Sequence, residues 1–142
     1  MGAVLRVNNW PTKLADFIES RRHEPFVWGE NDCSLFVADA FLGISGIDYA
    51  EQFRGRYSTA LGSLRCLKND GFESVSEYLN SIFGAQCQKL QLSRGDIGLY
   101  NSENGDTLAI CIGDKFVGTG ENGLVFISYD LIICGWKTWD NL

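Results

Sequence analysis

The sequence predicts an α+β domain, with helices in its first half and an antiparallel sheet in its second. Three observations carry that expectation. Apolar residues recur at helical spacing as far as Gly84, and the period drops to two after Gln88. Asn-Gly pairs then stand at 104–105 and 122–123, where hairpins would turn. Helices grouped ahead of strands, instead of alternating with them, separate α+β from α/β. At 142 residues the chain reads as a single domain, 1–142, long enough to bury a core without staples.

Each element has its own local reason. Trp10, Leu14, Phe17, Ile18 and Arg21 share one helical face, and Pro11 suits a first turn. Asp32 is a good cap for a second helix running through Phe36, Ala40 and Phe41 to Gly43. That helix is apolar nearly all round, which predicts a central, buried position. Ser58 is placed to cap a third helix, with Leu61, Leu64 and Leu67 inward and a stop at Asn69-Asp70-Gly71. Val75, Tyr78, Leu79, Ile82 and Phe83 make a short fourth helix that Gly84 ends. Strands are expected at 88–92, 96–100, 108–112, 115–117, 124–128 and 132–136. The Asn-Gly pairs predict type I′ turns. Gly118-Thr119-Gly120-Glu121-Asn122-Gly123 has the letters of a dinucleotide fingerprint. It is followed by a strand pattern and not by the helix that must meet a pyrophosphate, so it reads as a hairpin turn.

Composition excludes several function classes. A formal net charge of −6, with no basic stripe, argues against nucleic acid and against an anionic membrane surface. No stretch approaches the roughly 18 apolar residues of a membrane span. The five cysteines, Cys33, Cys66, Cys87, Cys111 and Cys134, are irregularly spaced without a Cys-x-x-Cys pair, so no zinc site and no cofactor is expected. The first residues carry no long apolar run and do not read as a secretory signal. Synthesis in a reducing cytoplasm with free thiols follows, and every cysteine but Cys33 reads as a small core residue.

The most telling segment is Pro25-Phe26-Val27-Trp28-Gly29-Glu30-Asn31-Asp32-Cys33-Ser34, which delivers a cysteine to the first turn of the second helix. Unpaired N–H groups and the helix dipole there favour a thiolate, so Cys33 reads either as a reactive thiol with a lowered pKa, which iodoacetamide would label before the other four, or as a buried small residue retained from an ancestral fold. The only histidine, His23, sits upstream among Arg21, Arg22 and Glu24. It reads either as a replacement base or as a solvated residue at a charged helix end. Asp32 reads as a cap, whereas Asp96 and Asp106 could face the thiol from neighbouring strands and would then raise its pKa. Phe26, Trp28, Trp136 and Trp139 could line a groove for a peptide or sugar, or could be core and edge cover.

Phe26-Val27-Trp28-Gly29 followed by Asp32-Cys33-Ser34 resembles the nucleophile motif of the NlpC-type papain-like cell-wall cysteine peptidases. Arg94-Gly95-Asp96-Ile97 is similar to that family's strand opening, and 107–113 is similar to the strand that carries its histidine. The chain resembles more closely a group of small tailed-phage proteins sharing Trp-Gly-x-x-Asp-Cys, a Gly-x-Tyr segment (here Gly55-Arg56-Tyr57) and a C-terminal tryptophan strand, here at Trp136. The resemblance implies a papain-like fold and a place in the phage virion, at the tail tip or baseplate, among other tail proteins. It departs at the catalytic positions: Thr107 stands where the histidine is expected, the orienting residue falls near Gly118, and the loop tyrosine is Phe26. The readings it leaves are a catalytically degenerate virion component, an active hydrolase cleaving peptidoglycan peptide stems with His23 as base, and a non-catalytic cell-wall-binding module.

Overall fold

The computed structural model describes residues 5–139. Four α-helices pack on a five-stranded antiparallel sheet, and all four precede the strands in the chain order. Helix α1 (Trp10–Arg21) has Pro11 in its first turn and buries Leu14 and Ile18. Helix α2 (Cys33–Ser45) is capped by Asp32, whose side chain accepts from the Leu35 amide. It runs past Gly43 because the residue that leaves the helix is Gly46, at φ 80. A left-handed exit of this kind costs glycine nothing. Leu35, Phe36, Val37, Ala38, Ala40, Phe41 and Ile44 are buried, so α2 is the central helix that its composition predicts.

Helix α3 (Ala60–Asn69) is capped by Thr59, one residue beyond the expected Ser58, and buries Leu67 alone. Leu61 and Leu64 are 57% and 49% exposed, contrary to the inward placement expected of them. Three steps of 100° fall 60° short of a full turn, so residues three apart drift round a helix and Leu61 ends far from the Leu67 face. Helix α4 (Val75–Phe83), capped by Ser74 and closed at Gly84, buries Tyr78, Leu79 and Phe83.

The sheet has strand order β4-β3-β2-β1-β5. Its strands are β1 (Ile97–Ser102), β2 (Gly105–Cys111), β3 (Phe116–Gly120), β4 (Gly123–Ile127) and β5 (Ile132–Trp136). Alternation divides its two faces. Ile97, Leu99, Leu108, Ile110 and Val117 join α2 in the main core. Ala109, Cys111, Phe116, Ile127 and Ile132 form a second cluster with Leu92. The predicted strand at 88–92 is instead a 3₁₀ turn, Lys89–Gln91. Leu90 and Leu92 imitate alternation, but Leu90 is 84% exposed, and the Gln91 side chain turns back to accept from the Gln88 amide at 3.2 Å.

The two Asn-Gly hairpins also close differently. Ser102 pairs with Gly105 and Gly120 with Gly123. Positive φ falls on Gly105 and Gly123, not on Asn104 or Asn122. This is a turn followed by a left-handed glycine bulge, so the asparagines are not in the left-handed conformation that a type I′ turn demands. The fingerprint-like run at 118–123 is the β3–β4 hairpin.

Candidate functional site

The loop from Pro25 to Asp32 is held by its own polar groups. The Asn31 amide donates to Val27 O at 2.8 Å, and Asn31 Nδ2 donates to Pro25 O at 2.9 Å. Gly29 turns at φ 81, and a Cβ built there would lie 1.9 Å from Tyr57 O. Glycine is therefore required at this position on two counts. The buried Asp32 carboxylate accepts from Gly29 N at 3.0 Å and Leu35 N at 2.9 Å, and it also takes the Tyr57 hydroxyl. One side chain thus joins the loop, the start of α2 and the Gly55-Arg56-Tyr57 segment. The cap was legible in the sequence; the tyrosine contact, 25 residues away, was not.

The dipole argument alone mispredicts the thiol of Cys33. Burial pushes its pKa up, and the neighbouring Asp32 carboxylate adds to that rise. The Leu108 and Ser34 backbone groups and the Ser34 hydroxyl oppose it without overcoming it. Desolvation outweighs the helix start because it penalises the whole charge of a thiolate, while the helix terminus offers only a fraction of one. The expected lowering is therefore replaced by a rise.

Cys33 lines a cavity of ≈ 300 Å³ with Trp28, Ser34, Ser63, Asn104 and Asp106 around it and Leu64, Leu67 and Val75 as its apolar side. The Leu108 backbone on β2 faces the thiol and favours its charged form, and Thr107 precedes Leu108 in that strand. The Thr107 hydroxyl turns away into its own hairpin, bonding Gly105 O at 2.9 Å and the Ser102 hydroxyl at 2.7 Å. Asp106, of the two carboxylates considered for the cysteine, is the one that lines this cavity. Asp96 lies at the other end of β1, wholly buried with Arg6, Lys137 and Thr138.

The remaining candidates separate. His23 is exposed at the end of α1 beside the β3–β4 turn, where a Cβ on Gly123 would lie 3.3 Å from its Cα; it does not line the Cys33 cavity. Phe26 and Trp28 meet edge to face, with centroids 4.7 Å apart. Trp136 is 0% exposed in the main core, its indole N–H donating to Asn80 Oδ1 at 2.8 Å, so it lines no groove. A strand residue on the helix-facing side is covered by whatever packs there, and α4 covers this one. Trp139 rests against Trp10, centroids 6.0 Å apart. The cysteines are free; Cys111 is fully buried, and Cys66, Cys87 and Cys134 are half-buried, packing against the core clusters from their edges.

The polar inventory around Cys33 is thus alcohols, an amide and a carboxylate, with no imidazole. Among the described residues no cluster of three or more His, Cys, Asp or Glu could hold a metal ion, and no helix is long and apolar enough to cross a membrane. A family model described as a domain of unknown function, DUF6950, matches residues 5–138. No curated protein matches the chain.

Proposed function

This chain belongs to the DUF6950 family, a domain of unknown function, and from its site and its motif resemblance together we propose a non-catalytic component of a tailed-phage virion, at the tail tip or baseplate, built on an NlpC-type papain-like scaffold that has lost its catalytic set. The observation that carries the loss of catalysis is the company Cys33 keeps. Its thiol is held toward the neutral form, and the cavity around it holds no imidazole, only alcohols, an amide and the Asp106 carboxylate. Amide hydrolysis by a thiolate needs a proton delivered to the leaving amine as well as a nucleophile. The Thr107 hydroxyl cannot supply it, and His23 stands at a different part of the surface. The virion setting rests on the resemblance of the Trp28-Gly29 and Asp32-Cys33 motif to small tailed-phage proteins.

Mass spectrometry of purified particles tests the setting, and incubation with purified sacculi tests the chemistry. The protein is expected in particles, and sacculi are expected to stay intact with the natural chain and with Thr107→His. The introduced imidazole would lack an orienting partner at the Gly118 position. Absence from particles would remove the structural role. Sacculus cleavage that disappears in Cys33→Ala would restore the enzyme, and sacculus binding without cleavage would point to a cell-wall-binding module.

A further inference from the structure

Trp28 and Asn104 line two neighbouring cavities, and the one without Cys33 has a chemistry of its own. This cavity, of ≈ 470 Å³, lies where the loop before α2 meets the β1–β2 and β3–β4 turns. Phe26, Trp28 and Tyr100 line it, and the first two rings stand at 83° to each other, forming a corner. Glu103 and Glu121, one from each hairpin tip, place exposed carboxylates on its rim. Thr119 borders it, 7% exposed, with an Oγ1 that has no hydrogen-bond partner within the protein. No lysine, arginine or histidine lines it.

We propose that this cavity receives the ammonium group of a lysine side chain presented by a protein partner. Aromatic faces attract a cation through their quadrupoles, and a desolvated corner strengthens that attraction. The lysine stem is aliphatic and packs along rings while its head reaches polar groups. Carboxylates on the rim accept N–H donors, which favours a primary ammonium over a quaternary one that has none. The size suits one side chain and its flanking backbone. The net charge of −6 adds long-range attraction for a basic partner. The inference goes beyond the proposed function, since it names a ligand chemistry at a separate cavity. Its failure would leave the particle and sacculus results untouched.

The test is a titration of the full chain with Nα-acetyl-lysine N-methylamide, read by the NMR shift of the Trp28 indole N–H. A saturable shift is expected. The norleucine analogue, with the stem and without the charge, should bind at least about tenfold more weakly, and the trimethyllysine analogue should also bind more weakly. The double variant Glu103→Gln, Glu121→Gln alters only exposed tips and should weaken the lysine compound at least about threefold. Equal binding of the norleucine compound, tighter binding of the trimethyl compound, an unaffected double variant, or no saturable shift would each overturn the proposal.

Discussion

The carboxylate of Asp32 takes hydrogen bonds from the loop, the helix and Tyr57 while standing one residue before the thiol. What it gives the fold as a cap it takes from Cys33 as a nucleophile, because a negative neighbour disfavours a thiolate. Alkylation of Cys33 is therefore expected to be slow at pH 7 and to keep rising above the ordinary thiol pKa of about 8.5. Peptide mapping after iodoacetamide at stepped pH reads this; labelling of Cys33 ahead of Cys66 at pH 7 would contradict it. The same shift bears on stability. A group whose pKa is higher folded than unfolded contributes fully below the unfolded pKa, and the contribution is lost as pH rises through the folded one. Cys33 thus makes the protein less stable on the alkaline side. Gly29 carries a second prediction at this scale. Its positive φ and the 1.9 Å approach of Tyr57 O leave no room for a methyl group. Gly29→Ala should cost more than about 3 kcal/mol in urea unfolding, through strain and displacement of the Tyr57 segment.

Among the elements, α3 shows how a sequence pattern and a packing face can part. It touches the core through Leu67, and its earlier leucines face outward, Leu64 on the wall of the Cys33 cavity. Leu61→Glu and Leu64→Glu should each change stability by no more than about 0.5 kcal/mol, as surface substitutions do. Leu67→Ala should cost about 2–4 kcal/mol by opening a cavity. Chemical denaturation of the three variants distinguishes this from a helix with all three leucines inward, in which every change would be severe. Helix α2 is the opposite case, since its nearly continuous apolar surface leaves little ambiguity about where it goes.

Across the whole molecule, one ion cluster ties the start of the described chain to its end. The Arg6 side chain, 1% exposed, lies 4.2 Å above the Trp10 ring and 5.2 Å from the Trp139 ring, donates to Arg94 O at 2.8 Å, and reaches buried Asp96 at 3.4 Å. Asp96 also accepts from Thr138 N and Ser93 N, each at 2.9 Å, and pairs with Lys137. Arg6→Ala removes a cation from a buried pair and from between two rings, and should cost about 3 kcal/mol, visible as a fall in Tm of roughly 6–12 °C. Arg6→Lys should recover only part of it, because a point charge cannot stack on the rings or span Arg94 O and Thr138 together. Full recovery by lysine would show that charge alone matters.

The sequence by itself determined what short-range chemistry controls. Pro11, the cap before α2, the stop at Gly84, and the alternation at 132–136 act within a few residues, so α1, α2, α4 and β5 form where those signals stand. The arrival of Cys33 at a helix start was legible for the same reason. Tertiary structure alone decided what covers each residue. Trp136 became core because α4 lies over it, Leu61 and Leu64 stayed about half exposed because none of the described elements covers them, and 88–92 did not become a strand because its glutamines satisfy the backbone locally. It also decided the state of the thiol. A pKa is set by desolvation and by charges brought together from distant positions, and the Leu108 strand, the Asp32 carboxylate and the walls of the cavity meet at Cys33 only once the chain has folded.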